Sequence, residues 1–189
     1  MGSLLMAVRQ APDRMLHQVR RYAAQAVASR PRRPSSVLVV CHGNICRSPF
    51  AAVILGRWLA PAGVSVESAG FVGPGRRSPP EAILAANRRG VNLSTHRSST
   101  LTSPMVRAAD LVVTMDAAQA RELRRRFGKP VSQVLVLGDF DPAEASPRGI
   151  EDPFGRPAAV YDRVNARIER CAAGLAEVVM RREKRSPQP

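Results

Sequence analysis

Residues Val40–Phe50 read V-C-H-G-N-I-C-R-S-P-F, entered by the apolar run Val37-Leu38-Val39-Val40 and left by an apolar-periodic stretch from Pro49 to Leu59. The pattern predicts a strand, a tight loop and the start of a helix, with a thiol at one end of the loop and a guanidinium at the other. Backbone N–H groups of a loop entering a helix converge on one point, and the helix N-terminus adds partial positive charge there, which suits an oxyanion. Pro49 fits the first helical position, Gly43 permits the positive φ such a loop needs, and Asn44 tolerates the left-handed region. A cysteine after a buried strand is ordinarily a small core hydrophobe. With Gly, Asn, Arg, Ser and Pro at these offsets, Cys41 reads instead as a thiolate nucleophile. Arg47 offers a planar fork for two oxygens of a tetrahedral anion, and Ser48 a hydroxyl that can donate to the Cys41 sulfur.

Outward from this segment the pattern alternates. Strands are predicted at Val37–Cys41, Val64–Ser68, Leu111–Thr114 and Val134–Leu137. Helices are predicted at Pro49–Leu59, at Pro79–Arg89 closed by Gly90, and at Ala117–Phe127 between an Asp116 cap and Gly128. A last helix places Val160, Val164, Ile168, Cys171 and Leu175 on one face. Alternating strands and helices imply a single α/β domain, a parallel sheet with helices on both faces, its ligand loop outside the carboxyl end of strand one.

The net charge of +14 sits largely outside that domain. Residues 1–34 hold seven Arg and one Asp, a net +6, and residues 181–189 a net +3. We therefore divide the chain into a basic extension and linker (1–34), a domain (35–180) and a basic tail (181–189). In the extension, Met15, Leu16, Val19, Tyr22, Ala23, Ala26 and Val27 recur at helical spacing among arginines, the pattern of a transit peptide, a membrane-surface helix or a plain tail. Two Tyr and one Trp give no basic-aromatic interleaving, so nucleic acid is not the expected partner. Three cysteines form no even-numbered secreted framework, which points to a reducing, cytoplasmic setting. No stretch reads as a membrane span, and the oligomeric state is not legible.

The loop resembles that of the low-molecular-weight protein tyrosine phosphatases, C-x-G-N-x-C-R-S-P. The resemblance continues through Glu67-Ser68-Ala69-Gly70, Leu93-Ser94-Thr95-His96-Arg97, the run Asp110 to Asp116, Leu137-Gly138-Asp139-Phe140-Asp141-Pro142 and Glu151-Asp152-Pro153-Phe154, from about Ser36 to near Arg181. It implies strand order 2-1-3-4 and hydrolysis of aryl phosphomonoesters through a phosphocysteine, with neither metal nor cofactor. By the resemblance, Cys41, Arg47 and Asp152 are catalytic, and His42, Gly43, Asn44, Ile45, Cys46 and Ser48 form the phosphate loop. Ser68 and His96 then support that loop, and Phe154 lines the substrate pocket, with Phe71 the nearest aromatic for its other wall. Asp152 precedes Pro153, which holds it out of the helical region; Asp139 and Asp141 are its competitors for the acid. Cys46 is the family's second cysteine, which can form a reversible disulfide with the nucleophile.

A phosphotyrosine protein is the implied substrate, a bacterial tyrosine kinase the partner type. Phosphoarginine-specific relatives tend to carry threonine where Ile45 stands, so isoleucine resembles the tyrosine type. A thiol-dependent arsenate reductase on the same fold would need further cysteines between Cys46 and Cys171, and none is there. From another class, a non-catalytic anion-binding module with basic tails remains an alternative.

Overall fold

The computed structural model describes residues 16, 18–29, 33–143 and 147–181. Four parallel strands, β1 (Ser36–Cys41), β2 (Ser65–Gly70), β3 (Leu111–Thr114) and β4 (Val134–Val136), form one sheet in the order β2-β1-β3-β4. β1 reads as an unbroken apolar run because both its faces are covered. Val37, Val39 and Cys41 enter the cluster built with Leu111, Val113, Phe50, Leu55, Ile168 and Leu175. Leu38 and Val40 enter a second cluster with Val112, Val136, Val106 and Leu123. The period-2 alternation of a strand thus divides one sequence between two cores.

Helical residues 18–28 (α1) precede the sheet, and α2 (Arg47–Leu59), α3 (Pro80–Asn87), α4 (Ser103–Ala108), α5 (Ala117–Phe127) and α6 (Ala158–Met180) follow in chain order. α5 runs as read, its first turn capped by Asp116 accepting from Gln119 N at 2.8 Å and its end turned by Gly128 at φ 65°. α6 buries the predicted face from Val160 to Leu175. α4 is absent from the sequence reading, although Thr102 accepts from Met105 N and Pro104 stands in the first turn.

Other readings change as well, among them α3, which runs Pro80–Asn87 rather than Pro79–Arg89, and β4, which ends at Val136 rather than Leu137. β2 extends to Gly70 because its pairing with β1 runs on to Cys41↔Gly70. α2 opens at Arg47 rather than Pro49, so Pro49 is its third residue, still where an N–H is not needed. Before and along α1 most of the apolar set predicted from spacing points outward: Leu16, Val19 and Tyr22 are 46%, 65% and 78% exposed, and Met15 lies outside the described residues. Ala24 and Ala28 face inward and join the cluster that holds α6, with Val27 packed against it. Small side chains let a helix come close, and size overrides hydrophobic periodicity here. Arg21 Nη1 also donates to the Pro142 carbonyl at 3.4 Å. No helix among the described residues is long and apolar enough to cross a membrane.

Candidate active site

The loop 42–46 joins the carboxyl end of β1 to the N-terminus of α2, which sets the Cys41 sulfur beside the first turn of that helix and the positive end of its dipole. Asn44 takes the left-handed conformation, φ 50°. Gly43, expected to supply the positive φ, does not adopt one; the space at its α-carbon is what matters, since a Cβ would lie 3.2 Å from Arg76 Nη1. Gly70 is needed for a closer approach. A Cβ there would come within 2.8 to 2.9 Å of the backbone of His42, Gly43 and Asn44, which cannot give way.

Cys41 Sγ accepts from Asn44 N–H at 3.2 Å and from Ser48 Oγ at 3.1 Å. The Asn44 side chain orders that second donor. Its Nδ2 gives one hydrogen to Ser48 Oγ and one to Ser68 Oγ, each at 2.9 Å, which leaves the Ser48 hydroxyl hydrogen for the sulfur. Asn44 Oδ1 accepts from Ser99 N at 2.8 Å, and His96 Nε2 donates to the Asn44 carbonyl at 2.7 Å. Ser68, His96 and Ser48 therefore meet at one residue. Ser99 was not foreseen, because a backbone N–H carries no mark in the sequence.

Arg47 is buried at the other end of the loop. Nη1 donates to the Ile150 carbonyl at 3.1 Å and Nη2 pairs with Asp152 Oδ2, while the buried Nε has no partner among the described residues. That arrangement leaves one donor of the guanidinium unused. Asp152 is half exposed at the rim, its Oδ1 accepting from Phe154 N at 3.3 Å. Asp141, one rival acid, is fully buried, accepting from Arg167 Nε at 2.9 Å with Arg170 3.5 Å away. Asp139, the other, is held by Arg148 at 2.9 Å. Arg167 goes on to donate to the Gly149 carbonyl at 2.7 Å and to the Pro147 carbonyl, bracing the segment that delivers Asp152.

Cys41, His42, Gly43, Ile45, Cys46, Arg47, Arg76, Asp152 and Phe154 enclose a cavity of about 230 Å³. Burial, reinforced by the neighbouring Cys41 and Asp152, pushes the Cys46 thiol up to about 12. Phe71 is not on this wall. It packs with the cluster of Leu38 and Val40, under the Arg126 guanidinium 5.7 Å from its ring centroid. Arg76 stands opposite Phe154 instead, 6.0 Å from its ring centroid. A cavity with a thiol at its base, converging amides, a buried guanidinium and a rim carboxyl can bind a phosphoryl group, attack it and protonate what leaves.

Residues 36–185 match the family described as low molecular weight phosphotyrosine protein phosphatase. The chain belongs to that family. It is 36% identical over 136 residues to a probable low molecular weight protein-tyrosine-phosphatase, EpsP, of Ralstonia solanacearum, a match covering 71% of this chain and 89% of the relative. The Erwinia amylovora tyrosine phosphatase AmsI superposes with a TM-score of 0.70 at 27% identity, over 77% of this chain and 93% of that one. The YwlE arginine phosphatase of Geobacillus stearothermophilus gives 0.72 at 30% identity, over 82% and 100%.

Proposed function

We propose that this chain hydrolyses phosphotyrosine in proteins through a phosphocysteine, in the cytoplasm. The observation that carries the reading is the Cys41 sulfur receiving both the Asn44 N–H and the Ser48 hydroxyl at the base of the cavity that Arg47 and Asp152 close. The Cys41 thiolate attacks phosphorus, and Asp152, protonated, gives its proton to the departing phenol oxygen. Loop amides and Arg47 hold the equatorial oxygens as negative charge gathers there. The Asp152 carboxylate then takes a proton from water, which attacks the phosphocysteine and releases inorganic phosphate and Cys41. Asn44, Ser48, Ser68 and His96 keep the sulfur a good nucleophile and a good leaving group. Gly43, Ile45 and Cys46 complete the phosphate loop, His42 its outer edge, and Phe154 one wall for the aryl ring.

Arginine phosphatases are relatives on the same fold, and Ile45 at the cavity supports the tyrosine reading over theirs. The substrate class we assign is a bacterial tyrosine kinase, on family analogy alone. The extension, net +6 with Leu16, Val19 and Tyr22 exposed before and along α1, supports contact with an anionic membrane surface. The deciding experiment measures phosphate release from phosphotyrosine, phosphoserine and phosphoarginine peptides side by side, with Cys41→Ser as control. Phosphotyrosine turnover that Cys41→Ser abolishes, with vanadate still bound, is the expected result; turnover by Cys41→Ser within tenfold of wild type would overturn the mechanism.

A further inference from the structure

Arg76 lies outside the loop that performs the proposed chemistry, yet it forms part of the cavity mouth. Its backbone is pinned. Arg76 N donates to Ser98 Oγ at 2.9 Å, Ser98 N donates back to the Arg76 carbonyl at 2.9 Å, and Ser98 Oγ reaches the Gly73 carbonyl at 2.7 Å. The side chain then spans from Gly43 on the phosphate loop to the Phe154 ring. A guanidinium beside an aromatic face keeps its in-plane N–H donors free for a planar acceptor. Among the described residues Arg76 has no carboxylate partner. The carboxylate of the cavity wall, Asp152, is engaged by Arg47.

We propose that Arg76 is a specificity-determining residue that pairs with an acidic side chain next to the phosphorylated tyrosine of the protein substrate. The phosphoryl group at Cys41 and the ring along Phe154 direct the substrate backbone across the mouth, where Arg76 presents its free N–H edges. This inference rests on the phosphatase reading above, and its effect lies in the choice between phosphotyrosine substrates rather than in the chemical step. An exposed ion pair at such a rim corresponds to a preference of about three- to fivefold at low salt, shrinking as ionic strength rises.

The test compares kcat/KM on three phosphotyrosine peptides whose flanking residues are glutamate, glutamine or lysine, at 20 mM and 300 mM salt. Wild type is expected to prefer glutamate, Arg76→Lys to keep part of that preference, Arg76→Gln to lose it, and Arg76→Glu to prefer lysine. An inverted order in Arg76→Glu is a readout that loss of loop structure would not produce. Equal rates on the three peptides by wild type, or the same ratios in all variants, would overturn the role of Arg76 while leaving phosphotyrosine hydrolysis standing. No hydrolysis of any peptide by wild type would overturn both.

Discussion

At the residue scale, two carboxylates near Asp-Pro steps compete for one role, and burial separates them. Asp141 is fully buried and neutralised by Arg167 and Arg170, whereas Asp152 stands at the cavity rim with solvent on one side. Asp152→Asn is therefore expected to slow aryl phosphates with poor leaving groups by about 10²–10⁴, and those with good leaving groups far less. Asp141→Asn should instead lower the melting temperature, because it removes the buried charge that Arg167 and Arg170 share. A leaving-group dependence in the Asp141 variant and none in the Asp152 variant would exchange the two roles. The thiols divide in a similar way. With Cys46 pushed up to about 12, roughly one molecule in ten thousand carries its thiolate at pH 8, and the thiolate is the form that alkylates. Iodoacetamide at pH 8 is expected to modify Cys41 in the native protein and spare Cys46, read by peptide mass spectrometry. Modification of Cys46 ahead of Cys41 would contradict the assigned nucleophile.

At the element scale, β1 is tied at its start as firmly as at its functional end. Asp110, just before β3, accepts from Ser35 N and Ser35 Oγ at 2.7 Å each and from Ser36 N at 3.2 Å, fixing the register of the two central strands. The Ser35 hydroxyl above all, with the Ser35 and Ser36 amides, holds the Asp110 carboxyl below its ordinary value of 3.8. A carboxyl lowered by folding stabilises the native state above its unfolded pKa and loses that contribution as pH falls through the folded one. Asp110→Ala should accordingly lower the melting temperature at pH 7, and the gap to wild type should narrow below about pH 4. A gap that widens in acid would mean that the Asp110 charge is not what stabilises this junction.

At the scale of the whole molecule, the family match begins at residue 36, but the core does not. Ala24 and Ala28 of α1 lie in the same cluster as Leu111, Leu135 and Val179. A chain beginning at Ser35 is expected to keep its rate on small aryl phosphates, since every residue given a chemical role lies after Val40. It should melt lower by roughly 5–10 °C, from about 2–3 kcal/mol of lost apolar burial. It should also lose affinity for anionic vesicles, because the net +6 of the extension leaves with the exposed face of Leu16, Val19 and Tyr22. Co-sedimentation at low and raised salt measures the second effect, calorimetry the first. An unchanged melting temperature would show that α1 contributes nothing to the core, and equal vesicle binding by both chains would remove the membrane role.

The sequence by itself determined the four strands, the loop from Cys41 to Arg47 and the helices α2, α3, α5 and α6. Strand burial, helix caps and the Cys-to-Arg spacing are local properties written in consecutive residues, and β3 and α5 fall where their own residues put them. Tertiary structure decided what depends on residues distant in the chain. Asn44 gathers Ser48, Ser68, Ser99 and His96 only after three segments fold together. Which of Phe71 and Arg76 faces the cavity turns on how the loop after β2 packs, and the Ser98 bonds set that. That α1 buries Ala24 and Ala28 was not legible in the sequence for the same reason. Periodicity reports which side of a helix is more apolar, whereas close packing against a finished core favours the side with the smaller residues, and that core exists only in three dimensions.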